Sequence, residues 1–317
     1  MKSQTGDERK RDPSEGPHMY DAIVIGAGPA GLQAALTLGR MHRSTLLLDS
    51  GEYRNGTVRH MHNVVANDGT PPAEFRETAR TQLAEYSDVE IRDVSAQTVT
   101  AIEGGHSVML ADGDAVGARH VVLATGVADD LPSIPGLQEL WGTQAFSCPF
   151  CDGHEHAGRS IGILGPAPRA EHLIGLLGRI VSDITVYPVE ATFTADEART
   201  LEELGARVSP EPVTAVAPDA DGVRVTTAST ERSVAGVFVA AASLRHRAPF
   251  ADQLGLQMLP SGSIEVDEFG RTSLPGVYAA GDLAHRASLP GPMASVLLAA
   301  AAGQMAAVGV IQSLMTP

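Results

Sequence analysis

The stretch that most constrains this chain runs from Tyr20 to Gly51, YDAIVIGAGPAGLQAALTLGRMHRSTLLLDSG. It reads as an apolar strand, a glycine turn, an alanine- and leucine-rich helix and a second apolar strand, which together make a βαβ unit. Gly26, Gly28 and Gly31 form G-x-G-x-x-G within it, and Asp49 closes the second strand 23 residues after Gly26. Each position has a physical task. Gly26 permits the tight turn, Gly28 lets a pyrophosphate approach the helix N-terminus, and Gly31 lets helix and strand pack closely. Asp49 can accept from ribose hydroxyls. A glycine pattern alone carries little. One that follows a strand, opens a helix and has an acid at this distance points to a dinucleotide site.

The rest of the chain is organised around that unit. Residues 89–124 alternate short apolar runs with Gly and Asp turns and read as a β-insert that rejoins the parallel sheet at Val121 to Ala124. Near the end, TSLPGVYAAGDLAH reads as a strand leading to Gly281 and Asp282, and PMASVLLAAAAGQMAAVGVIQSL as a final long helix. Between them, RSIGILGPAPRAEHLIGLLGRI starts a second strand–turn–helix, followed by the strands DITVYPV, VRVTTAS and AGVFVAA. The expected fold is therefore α/β, with two Rossmann-like (βαβ) domains. A discontinuous nucleotide-binding domain takes residues 19–130 and 249–317, and a second domain takes 131–248. Residues 1–18 read as a flexible extension or tag remnant ending in GPHM and stay outside the fold argument.

Composition narrows the function classes. With 38 acidic against 23 basic side chains and a net charge of −15, the chain lacks the clustered Lys and Arg of a nucleic-acid surface. No apolar run is expected to reach the ~20 residues of a membrane span, and the polar opening lacks the apolar core of a signal peptide. A soluble, cytoplasmic protein with small-molecule or protein partners is expected.

Both cysteines lie in SCPFCDGHEH, residues 147–156. Two thiols at this spacing can close to a disulfide, and a neighbouring charge or helix end can lower one thiol pKa. Cys148, Cys151, His154 and His156 also have the composition of a zinc clamp, although the H-x-H spacing is short for one. A binding or regulatory module without catalysis is a further reading, against which the intact C-x-x-C argues. His154 and His156 read as loop or surface residues, with one of them able to assist Asp152 in proton transfer. In HMHN, His60 and His62 either line a substrate mouth or cap a loop, and Asn63 bonds either cofactor or backbone.

Together, G-A-G-P-A-G at Gly26 to Gly31, A-T-G at Ala124 to Gly126, C-x-x-C-D-G and GVYAAGD resemble the low-molecular-weight thioredoxin reductases, in the family's order and over nearly all of residues 20–310. The resemblance implies FAD, a redox disulfide, a pyridine-nucleotide-type second domain and a homodimer. It places Gly26, Gly28, Pro29, Ala30, Gly31 and Asp49 at the adenosine diphosphate end of FAD. Asn63, Ala124, Thr125, Gly126, Gly281 and Asp282 are further cofactor positions, with Asp282 near the ribityl and pyrophosphate, and Met293 and Ala294 lie near the isoalloxazine. It also implies that Cys151 sits against the flavin, that Cys148 exchanges with substrate, and that Asp152 carries the proton.

One departure from the family pattern carries functional information. Where a second G-x-G-x-x-A is expected, the chain reads Gly165, Pro166, Ala167, Pro168, Arg169, Ala170. A methyl at Ala167 is expected to obstruct a pyrophosphate, and two prolines remove N–H donors. The arginine pair that holds the 2′-phosphate of NADPH is also missing from YPVEATFT, unless Arg169 or Arg179 supplies that charge. CPFC, DSGEYRN and HMHN resemble the branch of flavin-dependent dithiol oxidases of secondary metabolism, of the gliotoxin and holomycin type. That resemblance implies a small-molecule dithiol substrate, O₂ as electron acceptor and hydrogen peroxide as by-product. NADPH-dependent or ferredoxin-dependent disulfide reduction is the alternative.

Overall fold

The computed structural model describes residues 19–315, so the reading of residues 1–18 lies outside the described residues. The chain divides into two compact units. The first takes residues up to 51, 80–125 and from 248 onward, and the second takes 52–79 and 126–247.

In the first unit β1 (Met19–Ile25), α1 (Pro29–Arg40) and β2 (Thr45–Leu48) form the expected βαβ. α2 (Pro72–Leu83), which enters this unit only from Arg80, precedes β3 (Val89–Arg92), and β4 (Ala96–Ile102), β5 (Gly105–Leu110) and β6 (Ala115–Leu123) form the β-insert. The sheet order is β3-β2-β1-β6-β5-β4. β3, β2, β1 and β6 run parallel, and β6, β5 and β4 antiparallel. Ile23 pairs with Leu46 on one side and Val121 on the other, all fully buried. Strands covered on both faces need such continuous apolar runs, which is why β1 and β2 were conspicuous in the sequence.

The second unit opens with β7 (Val127–Asp130), the short helix α3 (Leu137–Leu140), β8 (Ala145–Phe146) and α4 (Pro149–Asp152). A second βαβ follows: β9 (Ser160–Leu164), α5 (Ala167–Leu177) and β10 (Asp183–Tyr187). Then come α6 (Ala195–Glu203), β11 (Arg207–Val208), β12 (Ala215–Asp219), β13 (Gly222–Thr226), β14 (Glu231–Val234), β15 (Val237–Val239) and β16 (Ser243–His246). The parallel sheet has the order β11-β10-β9-β15-β8, β12-β13-β14 form a separate sheet, and β7 pairs antiparallel with β16.

Residues 52–79 cluster with this second unit, although the sequence division grouped them with the nucleotide-binding half. The cause is tertiary. Arg54 makes a bidentate ion pair with Asp129 at 2.7 and 2.9 Å, His62 approaches Glu155, and Thr57 packs under Gly142.

The chain returns to the first unit through α7 (Phe250–Gln253), β17 (Ile264–Glu265), β18 (Val277–Ala279), β19 (Ala284–His285) and α8 (Val296–Met315). β18 adds to the large sheet parallel to β6. α8 corrects one expectation, because its 20 residues are long and apolar enough to cross a membrane. It is nonetheless weak evidence for a span. Gly303 brings its backbone against that of Ala30 on α1, and Ala299, Ala306, Ala307 and Val310 are buried beside it. Small residues there serve close helix packing, and a helix that packs in a protein core passes the same length test.

Candidate active site

The carboxyl ends of four parallel strands meet in the first unit. Gly26 N–H donates to Leu48 O at 2.8 Å, Ala124 N–H to Ile25 O at 2.8 Å, and Ala280 N–H to Leu123 O at 3.0 Å. The turns after β1, β2, β6 and β18 therefore lie side by side at the switch point where open α/β sheets bind ligands. Gly26 has φ +109°, and a Cβ there would overlap the Ala124 carbonyl. A Cβ on Gly31 would overlap the Gly26 carbonyl, so strand and helix touch backbone to backbone. Gly28 is the N-cap of α1, with no side chain capping it and open space around any added Cβ. Pro29 takes the first helical position, where its missing N–H is no loss. Gly281, with φ +90°, would bring a Cβ to 3.1 Å of the Ala30 side chain, which sets Gly281 and Asp282 at the same helix start. An uncapped N-terminus, open space before Gly28 and a buried acid at the next strand end fit the adenosine diphosphate end of FAD.

Asp49 is buried and already oriented. Its Oδ1 accepts from Gly51 N–H at 2.9 Å, and its Oδ2 accepts from Arg80 at 2.8 Å, while Arg80 also reaches Asp93 at 2.7 Å. Sequence reading did not single out Arg80, since an arginine on an exposed helix 31 residues away gives no local signal. Thr125 follows Ala124 in the same turn, and Met293 and Ala294 lie in the segment before α8, with Met293 exposed. Asn63 and Gly126 belong to the second unit. Asn63 sits exposed at a tight turn with φ +59° and donates its backbone N–H to Asp68 at 2.7 Å. Gly126 has φ +65°.

The second glycine turn is built differently. Ala167 is 1% exposed and packs among Ile161, Ile163 and Ala170, so its methyl is absorbed in the core rather than aimed at a ligand. Closure comes from elsewhere. Around Gly165 the turn is tight against Ala240 and Ala241, and Arg169 donates to the carbonyls of Ala240 at 3.0 Å and Ala242 at 2.9 Å. Arg169 is therefore committed to the backbone after β15. Arg179 follows the C-terminal end of α5, the helix end remote from Gly165. Arg169 N–H is bonded back to Pro166 O, and the two prolines have none to offer.

Cys148 and Cys151 form a disulfide with Cα atoms 5.3 Å apart, Cys148 serving as N-cap of α4. Both are half-buried, and Phe150 between them is exposed. Sulfurs joined to each other lack the thiolates that a zinc clamp requires. His156 departs from the expected surface position. It is buried, its Nδ1 is 2.9 Å from Asp152 O, and its ring meets Phe146 and Phe238 edge-on. It fixes the end of the cysteine helix. His154 and His60 are exposed.

Asp152 follows Cys151 directly. Burial pushes its carboxyl up to about 7, the Glu155 charge adds to the rise, and His62 opposes it. His62 reaches this loop from 93 residues away, with Nε2 3.6 Å from Glu155 and Nδ1 3.7 Å from Asp68. The loop thus joins a disulfide to an acid poised to gain or lose a proton near neutral pH.

Comparison with known proteins agrees with this geometry. The family model described as pyridine nucleotide-disulphide oxidoreductase matches residues 20–306. A probable thioredoxin reductase of Arthroderma benhamiae is 34% identical over 308 residues, covering 85% of this chain and 76% of that protein. Thioredoxin reductase tcpT of Claviceps purpurea is 34% identical over 281 residues, covering 84% of this chain and 87% of the relative. The crystal structure of HlmI superposes with a TM-score of 0.86 at 32% identity, over 95% of this chain and 94% of that one.

Proposed function

This chain belongs to the pyridine nucleotide-disulphide oxidoreductase family, and from that premise we propose that it is a dithiol oxidase, closing a disulfide within a small-molecule dithiol of secondary metabolism with O₂ as electron acceptor and hydrogen peroxide as by-product. As a thioredoxin reductase-like flavoprotein it is a redox enzyme that uses FAD. The observation that carries the finer reading is the second glycine turn. Arg169 is held by the Ala240 and Ala242 carbonyls, the buried Ala167 takes the place of the open Gly28, and Pro166 lacks the N–H that Ala27 keeps in the first turn. The resemblance of CPFC, DSGEYRN and HMHN to dithiol oxidases supports the same direction, and a homodimer is the assembly we propose.

In this reading Gly26, Gly28, Gly31 and Asp49 hold the adenosine diphosphate end of FAD, and Asp282, Met293 and Ala294 line the remainder. Bound FAD supplies a two-electron acceptor for the protein dithiol and a donor to O₂. The protein's own steps are thiol chemistry. Asp152 as carboxylate takes the proton of the first substrate thiol, and the thiolate attacks Cys148 Sγ. The Cys148–Cys151 bond breaks, and Cys151 leaves with the electron pair as a thiolate. The second substrate thiol gives its proton to the Cys151 thiolate and attacks the substrate's own sulfur in the mixed disulfide. Cys148 is released as a thiolate and the substrate leaves as a cyclic disulfide, so two electrons and two protons pass from substrate to protein.

The relatives' names favour a second reading, an NADPH-dependent disulfide reductase. Aerobic turnover with dithiothreitol and no nucleotide separates the two. The oxidase consumes one O₂ and forms one peroxide per disulfide, and Cys148→Ser or Cys151→Ser abolishes it. A reductase shows no such turnover and oxidises NADPH when a disulfide is supplied.

A further inference from the structure

We propose that His62, placed between Asp68 and Glu155, is a positioning residue for Asp152 on the cysteine loop. This rests on Asp152 serving thiol–disulfide exchange at Cys148–Cys151.

The clamp is specific. Each imidazole nitrogen faces a different carboxylate, Nε2 at 3.6 Å from Glu155 and Nδ1 at 3.7 Å from Asp68. At these distances the contacts are ion-pair approaches rather than hydrogen bonds, and a protonated ring is attracted to both carboxylates. Asp68 is itself held, accepting from Asn63 N–H at 2.7 Å across the turn where Asn63 has φ +59°. Glu155 stands three residues after Asp152, which fixes the clamp to the cysteine loop from the other side. The His62 side chain is 27% exposed, so the ring is partly open to water.

The electrostatics agree with the placement. The groups acting on Asp152 are its burial and Glu155, which both favour the neutral acid, and His62, which favours the carboxylate. His62 and Glu155 therefore pull in opposite directions. During exchange the proton taken from a substrate thiol resides on the Asp152 carboxyl and must leave before the next cycle. A positive charge at His62 favours that release, with no other reactant and no change of oxidation state.

The test measures exchange itself, on the full FAD-loaded protein under anaerobic conditions. Dithiothreitol reduces the Cys148–Cys151 bond, iodoacetamide quenches the reaction, and the alkylated cysteines are counted by mass across a range of pH. The wild-type rate should show an inflection near 7, absent in Asp152→Asn. His62→Gln should move it upward by about one pH unit, as expected for removing a neighbouring opposite charge. Glu155→Gln should move it downward, and His62→Lys should restore the wild-type position. Because the two glutamine variants are expected to shift oppositely, a general loss of folding cannot imitate the result. A wild-type inflection that stays in place in both variants overturns the role of His62. A disulfide that dithiothreitol does not reduce at any pH overturns the dithiol reading beneath it.

Discussion

Two glycine turns open two strand–helix units in this chain, and they part at the residue that starts the helix and at one arginine. Neither helix N-terminus carries a capping side chain, and the first glycine of each turn is tight against the end of a neighbouring strand, Gly26 on Ala124 and Gly165 on Ala240 and Ala241. Gly28 faces open space, whereas the corresponding Ala167 is buried, and Arg169 bonds the carbonyls beyond it. We propose that the same topology serves the cofactor in one unit and its own packing in the other. What separates them is which backbone groups remain accessible at the helix start.

The strongest way to break the comparison is to make the first turn resemble the second. Gly31→Ala places a methyl on the Gly26 carbonyl, and such overpacking costs about 1–3 kcal/mol or more. Chemical denaturation should show that loss together with loss of bound flavin. Gly28→Ala sharpens the contrast, since its methyl meets nothing in the protein. The apoprotein should keep its stability within about 0.5 kcal/mol while the flavin-to-protein absorbance ratio falls severalfold. A Gly28→Ala protein with full flavin content would remove the phosphate from that helix end.

A smaller effect is expected from opening the second turn. Arg169→Ala forfeits two hydrogen bonds from an exposed guanidinium, a loss of about 1 kcal/mol in denaturant titration. NADPH should still fail to bleach the flavin, because the prolines remain. Bleaching in this variant alone would show that the arginine is a removable plug on a working site.

The smallest effect lies away from both turns. His106 and His120 have buried Nδ1 atoms without partners. Burial holds both rings below the ordinary histidine pKa, His106 and Arg119 lower His120 further, and Asp21 opposes. The unfolded chain therefore takes up protons that the folded chain resists. The neutral rings' contribution is present above about pH 6.5 and is lost as pH falls below it toward the folded values. The melting temperature should fall less steeply over that range in His106→Asn/His120→Gln than in wild type.

The parts of this arrangement that depend on local pattern were legible in the sequence. Gly26, Gly28, Gly31 and Asp49 stand where strand period, helix period and turn chemistry agree, while the C-x-x-C alone left disulfide and zinc clamp open and the family resemblance pointed to the disulfide. Pairings across long loops were not legible. Nothing near Asp49 marks Arg80, and nothing near Glu155 marks His62, because side chains brought together by tertiary folding leave no periodic trace. The degeneracy of the second turn was visible, but its cause was not. Ala167 looked like an obstruction and proves to be core, while Arg169 looked like a spare charge and proves to be a tether. The apolar length of α8 was read correctly as a helix and undercounted as a run. His156 was misplaced on the surface because a histidine that ends a four-residue helix against two phenylalanines has no sequence signature.

The most direct test of the central claim is an anaerobic titration of the purified flavoprotein, followed at the flavin absorbance, with NADPH in one cuvette and a small dithiol in another. The account predicts bleaching by the dithiol alone, with colour and peroxide returning together when air is admitted. Rapid bleaching by NADPH would contradict it, because electrons would then enter through the turn that Arg169 and the prolines are held to close.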